Sequence, residues 1–253
     1  MLYVDEFVYT NKLRYAHPLE KFTFAILTML IGLTTKEALV NILIVIFMLG
    51  LLIWRAQIPA FVIGKLLLIP CFFLFMGILT ILISFSETGT GMLFSLKLSK
   101  YHLGITAGSI QTAFSTALRS SSSVVCLYFL TLTTPTVELI YILQTLRIPN
   151  VLIELMVLIY RFIFVFIETA FNIYTAQSSR WGYSSFRKSI YSFGMLFANL
   201  WGKVFLKSQA LFTSLLSRGY DKELKVLYPN YSFTKNYLLF AFLEIILVYL
   251  SFF

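Results

Sequence analysis

Along most of this chain apolar residues do not alternate with polar ones; they run. Uncharged apolar stretches occupy about 22–35, 38–54, 60–84, 106–133 and 237–253. About 18 such residues carry a helix across a bilayer, with a usual range of about 17–25, so the pattern predicts about five transmembrane helices. The first stretch is short and must borrow Glu20 or Lys21 as a snorkelling flank. The third carries Lys65 near one end and Pro70 inside, which predicts a kink.

Two ionisable residues interrupt the runs: Arg119, within Thr116-Ala117-Leu118-Arg119-Ser120, and Glu244 in the last stretch. A charge inside a bilayer costs roughly 3 kcal/mol or more unless it faces protein or water. Both are therefore expected to face the bundle interior as an intramembrane clamp between helices.

Residues 134–236 follow a different pattern. Glu154, Arg161, Glu168 and Thr175 recur every seven residues, and Asn172 lies four after Glu168. That spacing predicts a helix over about 150–178 with one polar stripe on an otherwise apolar surface. A second helix, about 186–217, sets Lys188, Ser192, Asn199, Lys203, Lys207 and Ser214 on one side. Ile190, Phe193, Phe197, Leu200, Val204, Leu211 and Leu215 are expected to line the other. Such helices lie along an interface or in a layer beneath the membrane. Thr134-Pro135 opens a shorter helix, with Glu138 near its positive end, that stops before Arg147-Ile148-Pro149.

The predicted organisation is thus an all-α polytopic membrane protein. A four-span bundle occupies 1–133, a cytoplasmic helical coupling region 134–236, and a last transmembrane helix 237–253. The loop around 85–104 is long enough for a short hairpin.

Composition agrees. Apolar residues make up 59% and charged residues 12% of 253, against roughly 45–50% and 25% in soluble domains, which excludes a soluble globular fold. The net charge of +9 could suggest nucleic acid, but its distribution argues for topology instead. With four spans before the large polar region, sixteen Lys and Arg fall on the side of the N-terminus and residues 134–236, and three on the other. The positive-inside rule then predicts a cytoplasmic N-terminus and a cytoplasmic coupling region, with the lipid bilayer, not nucleic acid, as the surrounding medium. The start of the chain, acidic at Asp5 and Glu6, does not resemble a cleaved signal.

Catalytic constellations are scarce. The two histidines, His17 and His102, are expected on opposite membrane faces, which disfavours a His metal site or a Cys/His nucleophile. Cys71 and Cys126 sit in apolar runs as small hydrophobes. No Gly-rich phosphate loop occurs, so ATP is not expected to bind this chain through such a motif.

The unusual feature is a repeated ending. Ala176-Gln177-Ser178-Ser179-Arg180-Trp181-Gly182-Tyr183 follows the first amphipathic helix. Leu216-Ser217-Arg218-Gly219-Tyr220 follows the second, its Arg 38 residues further on. Each reads Ser-Arg and then Gly-Tyr, with Trp181 inserted in the first. Arg at a helix C-terminus followed by Gly suits simple capping. Two copies on paired helices favour docking: a guanidinium fork matches carboxylates and helix-end carbonyls in a groove of a soluble partner. Two such prongs suit a partner present in two similar copies.

These residues resemble the transmembrane T subunit of energy-coupling-factor (ECF) transporters, a family marked by two short Ala-Arg-Gly motifs on cytoplasmic coupling helices. The motif positions here are Ser179-Arg180-Trp181 and Ser217-Arg218-Gly219. Further matches are His17-Pro18-Leu19-Glu20-Lys21, Thr133-Thr134-Pro135, Ile148-Pro149, Tyr160-Arg161-Phe162-Ile163-Phe164-Val165 and Arg218-Gly219-Tyr220-Asp221. From Thr133 to Glu223 the chain is most similar to the cobalt/nickel branch, the CbiQ family. The first motif departs from the pattern, with Ser for Ala and Trp for Gly. Trp181 is not expected to replace a glycine at a left-handed cap, so Gly182 is expected to take that role one residue later.

The resemblance implies a non-catalytic scaffold with no cofactor of its own. Two ABC ATPases, which bind the ATP, would grip the coupling helices through Arg180 and Arg218. A separate S-type membrane subunit would capture the substrate and hold any metal ligands. The implied location is a bacterial-type cell membrane, and the local matches favour cobalt or nickel. The alternatives are a T subunit shared among vitamin importers and a self-sufficient secondary carrier. A carrier needs polar residues near the midplane of several spans, where only Arg119 and Glu244 are found.

Overall fold

A computed structural model describes residues 3–35, 37–82, 84–86, 92–98 and 101–220. The chain divides into two compact units at Pro135/Thr136. The first contains α1 (Tyr3–Thr10), a 3-10 turn (Lys12–Tyr15), α2 (Pro18–Thr34), α3 (Ala38–Gly50), α4 (Ala60–Leu82) and α5 (Ala107–Thr133). The second contains α6 (Thr136–Thr145), α7 (Asn150–Ser178) and α8 (Phe186–Ser217). Among the described residues three segments are long and apolar enough to cross a membrane: Ala38–Arg55, where a π turn (Leu51–Arg55) extends α3, Ala60–Leu82 and Asn150–Ser178, with Ala107–Thr133 and Thr136–Thr145, bent by 101°, qualifying only as a pair; the helix expected over 237–253 lies outside the described residues. The fold is that of a helical multi-pass membrane protein. The third of the three segments is α7, which the spacing of its polar residues marks as a coupling helix; by length and composition it is also a candidate span.

The loop between α4 and α5 forms a small antiparallel sheet. Strands β1 (Ser84–Ser86), β2 (Met92–Leu98) and β3 (Tyr101–Thr106) pair in the order β1-β3-β2, with Phe85 opposite Leu103 and Leu96 opposite Leu103 on the other edge. The hairpin expected from the sequence is β2–β3, and a third short strand joins it.

In the first unit α5 is the hub, packed against α2, α3 and α4. Val40, Ile44, Met48 and Leu52 recur every four residues and form the buried stripe of the third segment, while Leu39 and Ile46 point outward. Phe24 meets Phe129 and Phe47 edge-on, at 5.8 and 6.3 Å between centroids, a geometry favoured by the ring quadrupoles. Gly32 lets α2 approach closely. A Cβ there would lie 2.9 Å from Ser122 Oγ and 3.2 Å from Asn41 Oδ1, and Ser122 Oγ donates to Asn41 Oδ1 at 2.8 Å. Small residues at a membrane-helix contact, with one polar bond across it, are the usual way such helices associate.

Two backbone defects are repaired by side chains. Pro70 has no N–H, so the carbonyl of Leu66, four residues earlier, loses its helical donor. Tyr128 Oη on α5 donates to that carbonyl at 3.0 Å, meeting the demand that every backbone polar group in a bilayer be satisfied. Arg119 Nε donates to Thr35 O, at the C-cap of α2, at 3.1 Å, where a cation also complements the helix dipole. Glu244 lies outside the described residues.

The last carbonyls of α5 are held from the N-terminal elements. Asn11 Nδ2 donates to Leu132 O at 3.0 Å, and the fully buried Lys21 donates from Nζ to Thr133 O at 3.0 Å. His17 is the N-cap of α2: its Nδ1 accepts from the Leu19 N–H at 3.2 Å.

Candidate functional site

The second unit is built on an antiparallel pair, α7 and α8, joined by residues 179–185. Pro149 at the N-cap position starts α7, and Ser185 caps α8, its Oγ accepting from the Lys188 N–H. Three rungs tie the pair along its length. Gln177 Nε2 donates to Ser192 O at 3.0 Å, Lys207 Nζ to Thr169 Oγ1 at 3.4 Å, and Tyr220 Oη to Glu154 Oε2 at 3.0 Å. The seam between them is narrow: Ile153, Thr169 and Ile173 from α7, Leu196 and Val204 from α8.

Part of the apolar side expected for α8 meets α7 in this seam, through Leu200, Val204, Leu211 and Leu215. The rest of that apolar side, Ile190, Phe193 and Phe197, is more than half exposed, as are Trp201 and Phe205. The side facing α7 runs through Ser192, Leu196, Leu200, Val204, Leu211 and Leu215, at steps of four until Val204 and again from Leu211. Polar Ser192 belongs to it because its carbonyl and hydroxyl are both used in the turn, as shown next.

The two Arg motifs share one backbone geometry. After α7, the Arg180 N–H bonds to Gln177 O, the Trp181 N–H to Ser178 O and the Gly182 N–H to Gln177 O, the last at 2.9 Å. After α8, the Arg218 N–H bonds to Leu215 O, the Gly219 N–H to Leu216 O and the Tyr220 N–H to Leu215 O, the last at 3.1 Å. Each is a helix ending closed by a bond spanning five residues around one left-handed residue, as in a Schellman motif. The left-handed residues are Trp181 (φ 58°) and Gly219 (φ 76°). Ser179-Arg180-Trp181-Gly182 therefore superposes in role on Ser217-Arg218-Gly219-Tyr220, and Trp181 is no insertion. Arg147 (φ 60°) closes α6 in the same way, with the Ile148 N–H on Leu143 O.

Trp181, not Gly182 as expected from its residue type, thus occupies the left-handed cap. Its side chain, 78% exposed, tolerates the position because nothing crowds it, at a backbone cost of roughly 1–2 kcal/mol. Gly182 is required for a different reason. A Cβ there would sit 2.8 Å from both Gln177 O and Ser192 Oγ. Around it runs a closed brace: Ser192 Oγ donates to Gly182 O at 2.8 Å, and Tyr183 Oη to Gln177 Oε1 at 2.7 Å. Tyr183 also packs at a tilt of 43° against Tyr174, 4.9 Å between centroids. The backbone that presents Arg180 is therefore fixed from both helices.

Beside this brace a cavity of about 370 Å³ opens between the helices, lined chiefly by Asn172, Gln177, Arg180, Met195, Asn199 and Lys203. At the opposite end, Tyr220 leans on Glu154, whose carboxylate holds the phenol above its ordinary value of 10.0, first through the hydrogen bond and then through desolvation and charge. Arg180, Trp181, Arg218 and Gly219 are all exposed, as are Ser179 and Ser217. Both serine hydroxyls bond back to carbonyls of their own helices. Spacing marks Lys203 only as one member of a polar stripe, and nothing local in the sequence points to the cavity. Among the described residues, no three His, Cys, Asp or Glu side chains gather to hold a metal.

Comparison with known proteins adds a family. Residues 10–228 match the family model CbiQ, described as cobalt transport protein. An uncharacterized protein of Methanocaldococcus jannaschii is 32% identical over 250 residues, covering 98% of this chain and 92% of its own length. A protein of Methanocorpusculum labreanum named as a fused cobalt transport protein, CbiMQ, is 34% identical over 222 residues, 86% of this chain and 36% of its own. The cobalt transport protein CbiQ of Salmonella typhimurium is 28% identical over 212 residues, 84% and 94% of the two chains.

Proposed function

The chain belongs to the CbiQ family of cobalt transport proteins, and on that premise we propose that it is the transmembrane coupling (T) subunit of an ECF-type importer for cobalt or nickel. Two cytoplasmic ABC ATPases bind ATP and grip the α7–α8 pair through Arg180 and Arg218. Their opening and closing moves the pair, and a separate membrane subunit captures the ion. The Lys and Arg bias supports a cytoplasmic α6–α8 region. The fused relative, of which this chain covers 36%, supports a second cobalt transport component beside this one.

One observation carries the reading: the same capped ending presents an exposed Arg at both ends of one antiparallel pair. The 32 residues of α8 set these ends about 48 Å apart at about 1.5 Å per residue. That exceeds the roughly 30 Å diameter of a small domain, so two partner domains can dock side by side. A guanidinium at each end supplies a planar fork for carboxylate or carbonyl acceptors on each partner.

The test is cobalt uptake, together with recovery of ATPases on the tagged chain, for Arg180→Ala, Arg218→Ala and the double variant. Both arginines are exposed, so the double variant is expected to insert and fold yet lose ATPase recovery and uptake. Full uptake by it would overturn the assignment.

A further inference from the structure

The end of α5 is closed by side chains from the start of the chain. In an α-helix each carbonyl accepts from the N–H four residues on. Leu130 O keeps that bond, from the Thr134 N–H at 3.0 Å. Thr131 O has no such donor, because the residue four further on is Pro135. Leu132 O and Thr133 O would take the N–H groups of Thr136 and Val137 if α5 ran on, but both are held from the N-terminal elements. Asn11 Nδ2 donates to Leu132 O and Lys21 Nζ to Thr133 O, each at 3.0 Å, across 121 and 112 residues of chain. Asn11 Nδ2 also donates to Val8 O at 2.8 Å, so one carboxamide ties the end of α1 to the end of α5. Asn11, Lys21, Thr133 and Thr134 are all more than nine-tenths buried, and an ammonium suits the negative end of a helix. The cap is nevertheless incomplete. Among the described residues Asn11 Oδ1 and Thr134 Oγ1, both buried, have no hydrogen-bond partner, and a buried polar atom left unpaired is costly. The closed arrangement therefore lies nearer in free energy to an open one than a fully bonded cap would.

We propose that Lys21 and Asn11 are positioning residues that latch the Thr134–Pro135 joint: while they hold Thr133 O and Leu132 O, α5 cannot extend toward α6, and their release lets the joint open. The geometry of the latch stands by itself; its part in transport rests on the coupling reading above, in which motion of the α7–α8 pair must reach the first unit along the chain through this joint. Because Lys21 belongs to α2 and Asn11 follows α1, a pull on the end of α5 is shared with both helices and is not borne by the peptide chain alone.

The test uses the full chain in lipid vesicles, alone and assembled with its ATPases and capture subunit. Spin labels replace Leu127 on α5 and Leu146 just after α6, both more than half exposed, with the two native cysteines changed to alanine. Nineteen residues of unbroken helix would set the labels about 28 Å apart at about 1.5 Å per residue, and the 101° bend between α5 and α6 holds them closer. Lys21→Met with Asn11→Leu is expected to lengthen and broaden that distance by about one helical turn, roughly 5 Å. In the assembled complex the same pair is expected to cut cobalt uptake per ATP hydrolysed at least about fivefold with the ATPases still bound. Lys21→Arg, which keeps a cationic donor, is expected to stay near the wild type in both readouts. Tyr128→Phe, which removes a bond of the same unit away from the joint, is expected to change neither. Unchanged distances in the double variant would overturn the latch. Longer distances with wild-type uptake per ATP would overturn its part in coupling, and the Arg180 and Arg218 variants decide separately whether the chain couples ATPases at all. The distances are read on the chain alone, so they judge the latch even if no ATPase is recovered. Where the double variant does not insert, Asn11→Leu alone is read by the same two measurements.

Discussion

A single methyl group on Gly182 tests whether the turn that carries Arg180 is as tightly built as its hydrogen bonds imply. In Gly182→Ala the new Cβ would lie 2.8 Å from Gln177 O and 2.8 Å from Ser192 Oγ. Ser192 can rotate, but only by giving up its bond to Gly182 O. Gln177 O is backbone and is itself the acceptor for the Gly182 N–H. Overpacking of this kind costs about 1–3 kcal/mol, and the loss of one bond of the brace adds about 1 kcal/mol. The expected local penalty is therefore about 2–4 kcal/mol, which at about 1.4 kcal/mol per tenfold speeds opening of the turn by about 30- to 700-fold. Hydrogen exchange of peptides covering 177–196, measured on the solubilised protein, reads this directly. Gly194→Ala is the internal control. It lies within α8 with nothing inside 4 Å of its added Cβ, so the same substitution is expected to slow exchange there by up to about 1 kcal/mol of helix propensity. Wild-type exchange at the turn in Gly182→Ala would refute the close-approach account of that glycine.

Two further tests probe the bonds that replace missing or weak ones. Tyr128→Phe is expected to cost about 0.5–1.5 kcal/mol in membrane-embedded stability, and close to nothing in a Pro70→Ala background, where an N–H returns to Leu66 O. Equal costs in both backgrounds, from denaturation in mixed micelles, would show that Tyr128 does not serve the proline break. The Tyr220–Glu154 rung should depend on pH on the alkaline side. Because the folded protein holds the phenol above 10.0, the rung's contribution is complete below that value and is lost as pH rises through the folded one. Protection of the end of α8 in the wild type is expected to exceed that in Tyr220→Phe at neutral pH and to converge with it in strong alkali. A difference that persists in alkali would refute the hydroxyl's role.

Much of the helical layout was legible. The polar stripe over about 150–178 and the amphipathic tract over about 186–217 coincide with α7 and α8, because Pro149 and Ser185 supply strong start signals and the Arg-containing turns supply stops. The missing N–H of Pro70 is legible in the sequence, but not the Tyr128 hydroxyl that answers it, since the partner lies 58 residues further along the chain. The identity of the left-handed residue after α7 was misassigned for a related reason. Local preference assigns that position to glycine, but Gly182 is claimed by the approach of Ser192 from α8, which moves the cap back to Trp181.

The sequence by itself determined that this is a helical membrane protein, where α7 and α8 begin and end, and that one motif is written twice. Each of these depends on residues close in the chain: run length, stripe spacing, caps. It also held the resemblance to the CbiQ family that comparison later established. Tertiary structure alone decided which face of α8 meets α7. The expected apolar side was too rich in aromatic residues for one narrow seam, and Phe193 and Phe197 were left outward. It alone brought Lys203 to the cavity beside Arg180, 23 residues earlier in the chain, because two antiparallel helices place side by side residues that no local spacing relates.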